Sequence, residues 1–235
     1  MESKSNQTNK NNMKIVVING SPRKNGATAT LLKTMVKHLE EKGNVDVQYI
    51  NIMDYSLLSC TGCMSCYHNG VCHLKDGVEE INGMIAQADG LIIGSPTYSS
   101  SMPGSLKTFI DRGHFVLEQA LVGKYTFALN TYEIAGGGNV ISGLKTLYQY
   151  SGGILSGSHI CKLPFNTDPL SKSGKVLLKK TDKFYNSVKP TKGKSLINRI
   201  INFIALYIII KPQVLKRPKQ YKAVIERWKK LGICK

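Results

Sequence analysis

KIVVINGSPRKNGAT, Lys14 to Thr28, is the stretch from which the fold follows. Ile15 to Ile18 form a continuous β-branched run, the pattern of a strand covered on both faces as in a parallel sheet. GSPRKNGAT breaks the run with a turn rich in small and hydroxyl residues. TATLLKTMVKHLEEKG (28–43) then spaces Leu31, Leu32, Met35, Val36 and Leu39 as one face of a helix, which Gly43 closes.

The alternation continues along the chain. VDVQYIN (45–51), GLIIGSP (90–96), KYTFALNT (124–131) and ILSGSHICKL (154–163) read as strands. Between them, DGVEEINGMIAQAD (76–89), PGSLKTFIDRGHFVLEQAL (103–121) and NVISGLKTLYQYSG (139–152) read as helices, with Pro103 in a first turn. Strands alternating with helices predict right-handed βαβ units and a parallel sheet covered on both faces. Ligands of such sheets sit in loops beyond the carboxyl ends of the strands, where the strand order reverses.

Three loops open there. In GSPRKNGAT, backbone N–H groups at a helix start, with Ser21, Thr28 and the cation of Arg23, suit a phosphate monoester, although an ordinary capped βα turn has the same composition. The loop matches neither GxxxxGK[ST] nor GxGxxG, which excludes the marks of triphosphate and dinucleotide sites. SPTYSSSMPGS (95–105) offers hydroxyls, stiffening prolines and Tyr98 to a planar ring, or is a solvated loop. TYEIAGGGN (131–139) carries three glycines that permit close backbone approach or a flexible turn.

A fourth loop on the same edge is CTGCMSCYHNGVC, which packs Cys60, Cys63, Cys66 and Cys72 into thirteen residues. The start of the chain has no apolar stretch of a secretory signal, so a reducing cytoplasm is expected and disulfides are disfavoured. Soft thiolates favour an iron–sulfur cluster or zinc. Zinc more typically takes separated pairs, though His68 and His73 are near enough to compete. Free or redox-active thiols are the third reading. Cys161 reads as a small buried hydrophobe and Cys234 as part of a fraying end.

GSPRKNGAT, CTGCMSCYHNGVC and GSPTYSSSMPGSLKTFIDR, in this order, resemble the flavodoxin-like, NAD(P)H-dependent FMN reductase superfamily, and within it the iron–sulfur flavoprotein branch. The resemblance runs over about residues 13–165. It implies an α/β, flavodoxin-like, doubly wound parallel sheet of five strands in the order 2-1-3-4-5. It further implies FMN phosphate held around Ser21, Arg23, Asn25, Gly26, Ala27 and Thr28, and the isoalloxazine ring near Pro96, Thr97, Tyr98 and Ser99. The loop from Asn130 through Gly136 and Gly137 to Gly138 would border the flavin. Cys60, Cys63, Cys66 and Cys72 fit the branch's motif for a [4Fe–4S] cluster. The implied activity is an FMN-dependent oxidoreductase moving electrons between NAD(P)H, or a ferredoxin-like donor, and a small-molecule or protein acceptor. The alternatives are a cluster-free NAD(P)H:FMN or quinone reductase and a non-catalytic flavodoxin-type carrier. The resemblance also favours a homodimer or homotetramer. The cofactor carries the chemistry, so no catalytic side chain is assigned. No Gly-x-Ser-x-Gly motif points to hydrolysis.

Charge divides the chain. Residues 1–170 carry 14 Lys and Arg against 13 Asp and Glu, whereas residues 171–235 carry 18 against 2. The organisation expected is a disordered tail over 1–12, an FMN-binding domain over 13–190 including the cysteine loop 60–72, and a basic, partly apolar helical extension over 191–235. Within the extension, LINRIINFIALYIII (196–210) is about 22 Å long as a helix, shorter than an ordinary membrane span. It is expected to pack on the core or on a second subunit. The alternative is peripheral contact with the inner membrane face, the lysines meeting anionic lipid. Val224, Ile225, Trp228 and Leu231 form the apolar face of a short helix that follows. Aromatic interleaving is too sparse for a nucleic-acid platform.

Overall fold

The β-branched run at the start becomes an interior strand because both of its faces find cover. In the computed structural model, which describes residues 12–189 and 196–235, β1 spans Met13–Asn19. Val16 and Ile18 enter one core cluster while Ile15 and Val17 enter the other. This two-sided alternation is what strand periodicity requires when helices lie above and below. The strands β2 (Val45–Asn51), β3 (Gly90–Pro96), β4 (Tyr125–Tyr132) and β5 (Ile154–Lys162) complete a five-stranded sheet in the order β2-β1-β3-β4-β5. All pairings are parallel. The tail expected over 1–12, save its last residue, and the boundary at 190/191 lie outside the described residues.

The helices divide between the two faces according to their apolar stripes. α1 (Ala27–Glu40) buries Leu31, Leu32, Met35 and Leu39 on one side of the sheet. The short helix α2 (Ser65–Asn69) lies in the cysteine loop. On the opposite face, α3 (Val78–Gln87) contributes Val78, Ile81 and Ile85, and α4 (Gly104–Arg112) contributes Leu106 and Phe109. α5 (Gly137–Tyr150) joins them with Val140, Ile141, Leu144 and Tyr148. α6 (Pro169–Val188) packs beside α1 through Leu177, Phe184 and Val188. Its start is fixed by Asp168, whose carboxylate accepts from the Leu170 and Ser171 amides (both 3.0 Å).

The helix expected over 103–121 stops at Arg112. Gly113 caps it, His114 takes a left-handed φ of 53°, and 115–123 run on as turns. Phe115 folds back over Gly113, where a β-carbon would lie 2.1 Å from its ring, so the position excludes a side chain. The apolar residues that suggested a continuing helix are used differently: Phe115 packs edge-on against Phe109 (5.6 Å between centroids).

The C-terminal residues form one long helical rod and a second helix. α7 (Leu196–Phe203) runs through a π-helical stretch, Ile204–Ile210, into α8 (Lys211–Leu215), and α9 (Lys222–Lys230) follows. Leu206, Ile210, Val214, Val224, Trp228 and Ile233 form a third apolar cluster. Of the face expected on the last helix, Val224 and Trp228 are fully buried, Ile225 is partly so and Leu231 is exposed.

Candidate active site

Strand order reverses between β1 and β3, so the loops at their carboxyl ends diverge and leave a crevice. The β1 loop is shaped by side chains that imitate backbone turns. The Ser21 amide donates to Asn19 Oδ1 and the Arg23 amide to Ser21 Oγ (both 3.1 Å). Gly26 then starts α1 without a side-chain cap, leaving first-turn N–H groups available to an anion. The β3 loop turns through Ser99 and Ser100, both at positive φ (47° and 62°), and closes with paired backbone bonds between Tyr98 and Ser101 (2.8 and 2.9 Å). The Thr97 amide donates to Thr131 O (2.9 Å), tying this loop to β4.

Between these loops lies a cleft of about 640 Å³. Arg23, Asn25, Gly26 and Ala27 line it from the first loop, and Pro96, Thr97 and Tyr98 from the second. Ser21, Thr28 and Asn130 are buried and brace these walls from behind. Thr28 Oγ1 lies 2.7 Å from Thr131 Oγ1, and Asn130 Nδ2 donates to Ser95 O (2.9 Å) and to Thr97 Oγ1 (3.0 Å). Ser99 sits exposed in the turn beyond Tyr98. Gly136 begins α5 at φ 84°, and a β-carbon there would come within 2.7 Å of Ser100 Cα. Gly137 packs equally close to Tyr132 and Asn130.

Thr131, Tyr132 and Glu133, in the loop expected to border the flavin, line the cleft from the end of β4. Phe165 and Asp168, from the segment after β5, line it as well and are not among the expected residues. Phe165 is 66% exposed and receives the Arg23 guanidinium 5.8 Å from its ring centroid. Its amide donates to Glu133 Oε1 (3.1 Å), joining the two segments across the cleft. The cleft has the size of a small-molecule site, with a cation, uncapped amides and aromatic rings among its walls. This donor set fits a phosphorylated, planar cofactor.

The cysteine loop builds a second cavity, of about 110 Å³, lined by Cys60, Cys63, Cys66 and Cys72 together. Left-handed residues at each end of α2, Met64 (φ 61°) and Gly70 (φ 82°), fold the loop back on itself. Cys60 and Cys63 are exposed, Cys66 half-buried and Cys72 buried. Hydrogen bonds from the Ser65 amide and the Thr61 side chain hold the Cys63 thiol below its ordinary pKa. His73 Nδ1 lies 3.1 Å from Cys63 Sγ.

Two residues missed in the sequence close the cavity. Arg112, 2% exposed, donates to Cys72 Sγ (3.3 Å), Leu58 O (2.9 Å) and Leu74 O (3.4 Å), and pairs with Asp76. Burial pushes the Asp76 carboxyl up, but hydrogen bonds from Arg112 and from the Leu58 and Val78 amides prevail and hold it below the carboxylate range. His114 is buried and sits 3.1 Å from Glu118. Burial alone would lower its pKa; hydrogen bonding and charge from Cys66 and Glu118 overcome this and raise it to about 10. Both cations therefore face the sulfurs. Among the described residues, no three Cys, His, Asp or Glu side chains converge closely enough to hold a metal ion. The donor set has the softness and number that a cubane needs, and the loop stands wider than a closed coordination sphere.

The extension covers this loop from outside. His68 Nδ1 donates to Lys219 O (2.8 Å), and Tyr67 packs on Tyr221 (5.8 Å between centroids). Trp228 Nε1 and Arg227 Nε donate to Leu117 O (2.8 Å) and Glu118 O (2.7 Å).

Sheet order, cleft and loop chemistry define a flavodoxin-like α/β flavoprotein. The sequence profile of the NADPH-dependent FMN reductase family matches residues 13–165. An iron–sulfur flavoprotein of Clostridioides difficile (strain 630) is 40% identical over 224 residues, covering 94% of this chain and 100% of that protein. An iron–sulfur flavoprotein of Methanocaldococcus jannaschii is 37% identical over 100 residues, 43% of this chain and 51% of that one. Among solved structures, an apo NADH:FMN oxidoreductase shares the fold with a TM-score of 0.60 at 24% identity, covering 76% of this chain and 91% of its own. The chain belongs to the NADPH-dependent FMN reductase family, in its iron–sulfur flavoprotein branch. Membership makes it an FMN-containing, NAD(P)H-dependent oxidoreductase.

Proposed function

We propose that this chain moves electrons between NAD(P)H, or a ferredoxin-like donor, and an acceptor by way of FMN in the cleft and a [4Fe–4S] cluster on Cys60, Cys63, Cys66 and Cys72. The observation that carries the reading is that all four cysteines line one cavity whose inner wall is Arg112 and His114. Four thiolates accumulate negative charge, and the buried Arg112 guanidinium and His114 imidazolium on the Cys66 and Cys72 side offset part of it. When bound, the flavin would accept hydride or single electrons and the cluster would exchange one electron at a time.

The chain's own residues bind and orient. Arg23, with Ser21, Asn25, Gly26, Ala27 and Thr28, would hold the phosphate. Pro96, Thr97, Tyr98 and Ser99 would flank the ring, and Asn130, Gly136 and Gly137 would keep the β4 wall in place. Metal ligation would fall to the four cysteines, with Arg112 and His114 as counter-charges. The setting proposed is the cytoplasm, as a homodimer or homotetramer.

The test is the absorption spectrum of protein purified and kept without oxygen, read before and after acid release of its chromophores. Flavin bands with a broad absorption that bleaches as iron and sulfide are released support the reading. Flavin without iron or sulfide would make the protein a cluster-free NAD(P)H:FMN or quinone reductase. Flavin with negligible NAD(P)H oxidation by any acceptor would make it a carrier of flavodoxin type, and absence of flavin would overturn the assignment of the cleft.

A further inference from the structure

The rod of α7 and α8 presents a continuous apolar ridge. Ile197, Ile200, Phe203, Ile204, Tyr207 and Ile208 follow one another at three- and four-residue spacing and are between 37% and 69% exposed. Phe203 and Tyr207 stack on the ridge with centroids 4.9 Å apart. Leaving such a strip in water forgoes the hydrophobic free energy of covering it, which marks it as a contact surface.

By length and composition the helix Ile197–Leu215 could cross a membrane, but only its outer face is free to meet lipid. Asn198 Nδ2 and Asn202 Nδ2 donate to Leu155 O and Gly153 O (both 3.2 Å), fastening the rod along β5 and its approach. Further on, Leu206, Ile210 and Val214 pack with Val224 and Trp228. Crossing would strip away these bonds and empty that cluster. The rod therefore lies along the protein surface, apolar ridge outward.

Charge selects the occupant. Residues 196–235 contain ten Lys and Arg against one Glu, and the exposed Lys216, Arg217 and Lys219 follow directly on the end of the rod. A second copy would oppose this basic surface to its like. An anionic bilayer complements both the cations and the ridge, as interfacial helices do. We propose that the Ile197–Leu215 ridge seats this protein in the plane of an anionic membrane without spanning it, the neighbouring lysines and arginines meeting lipid phosphate. The inference does not depend on the electron path proposed above.

The test is cosedimentation of the full-length, FMN-loaded protein with phosphatidylcholine vesicles containing about 30% phosphatidylserine, and with phosphatidylcholine alone. The wild type is expected to pellet with the first, not with the second, and to be released as salt rises. Ile204→Glu with Ile208→Glu should lower vesicle binding at least tenfold while flavin content stays unchanged, since both side chains are exposed (44% and 62%). Lys216→Glu, Arg217→Glu and Lys219→Glu together should weaken binding by roughly fivefold or more per cation removed, without touching the apolar ridge. Equal recovery in both supernatants overturns the proposal. So does loss of a dimer, by light scattering, in the double glutamate variant, which would give the ridge to a second copy of the chain.

Discussion

Replacing Arg112 with methionine removes a guanidinium whose side chain is 1% exposed and leaves Asp76, 8% exposed, without its cation. Methionine preserves much of the volume, so the loss is mainly electrostatic and of hydrogen bonds to Leu58 O, Leu74 O and Cys72 Sγ. Breaking a buried pair from one side costs about 3–5 kcal/mol, because the remaining charge stays desolvated. For a chain of this length, ~1 kcal/mol moves Tm by about 2–4 °C, so Arg112→Met should lower Tm by roughly 6–20 °C. Asp76→Asn should also destabilise, since the amide keeps only one of the two oxygens that accept from the Leu58 and Val78 amides and leaves the Arg112 cation without its counter-charge. The double variant should be more stable than the sum of the single losses by about 1–3 kcal/mol, the coupling expected of groups in contact. The assay is thermal unfolding of anaerobic protein at one saturating FMN concentration, which keeps ligand linkage constant across variants. Additivity within about 0.5 kcal/mol, or a Tm loss below about 2 °C for Arg112→Met, would refute the claim that this pair anchors the cysteine loop.

The buried His159 is held near pKa 4 by desolvation and the Lys180 cation, and its Nε2 lies 3.1 Å from Ser173 Oγ. Because the unfolded chain takes up this proton first, near pH 6.5, stability should fall as pH drops from about 6.5 to 4, by at most about 3 kcal/mol; His159→Leu should flatten the Tm profile over that window and not above it. Trp228→Ala should cost about 3–5 kcal/mol in the same Tm assay, as a fully buried ring leaves a cavity, while Trp228→Phe loses mainly the bond to Leu117 O, about 1 kcal/mol. Gly136→Ala places a β-carbon against Ser100 at positive φ, which costs about 1–2 kcal/mol in backbone conformation and displaces the β3 loop; FMN titration should show at least tenfold weaker binding, and unchanged affinity would detach this contact from the cleft.

The sheet was readable because its signal is local. Strands β2 and β3 fall on the residues expected, 45–51 and 90–96, since each is a short run bounded by turn residues. Seven of the thirteen residues named for the flavin line the cleft, because they sit in the loops that topology brings to one edge. Arg112 and His114 are not legible as site residues because the helical pattern over 103–121 runs across both. Gly113 between them was the available stop signal, and it was outweighed by the apolar residues that follow. Phe165 was equally visible as an exposed aromatic after a strand, but its partners Arg23 and Glu133 lie far away in sequence. The cover over the cysteine loop could not be foreseen, because periodicity says which face is apolar and not what it meets.

That cover also sets an order of events during synthesis. His68 meets Lys219 across 151 residues, so the sulfurs leave the ribosome long before the helix that shields them. At about 5–20 residues per second, the delay is roughly 8–30 s. The nascent loop is therefore uncovered while the sheet is forming, and its thiols are open to oxidation. Arrival of Trp228 at Leu117 ends that interval and completes the cover over the cysteine loop.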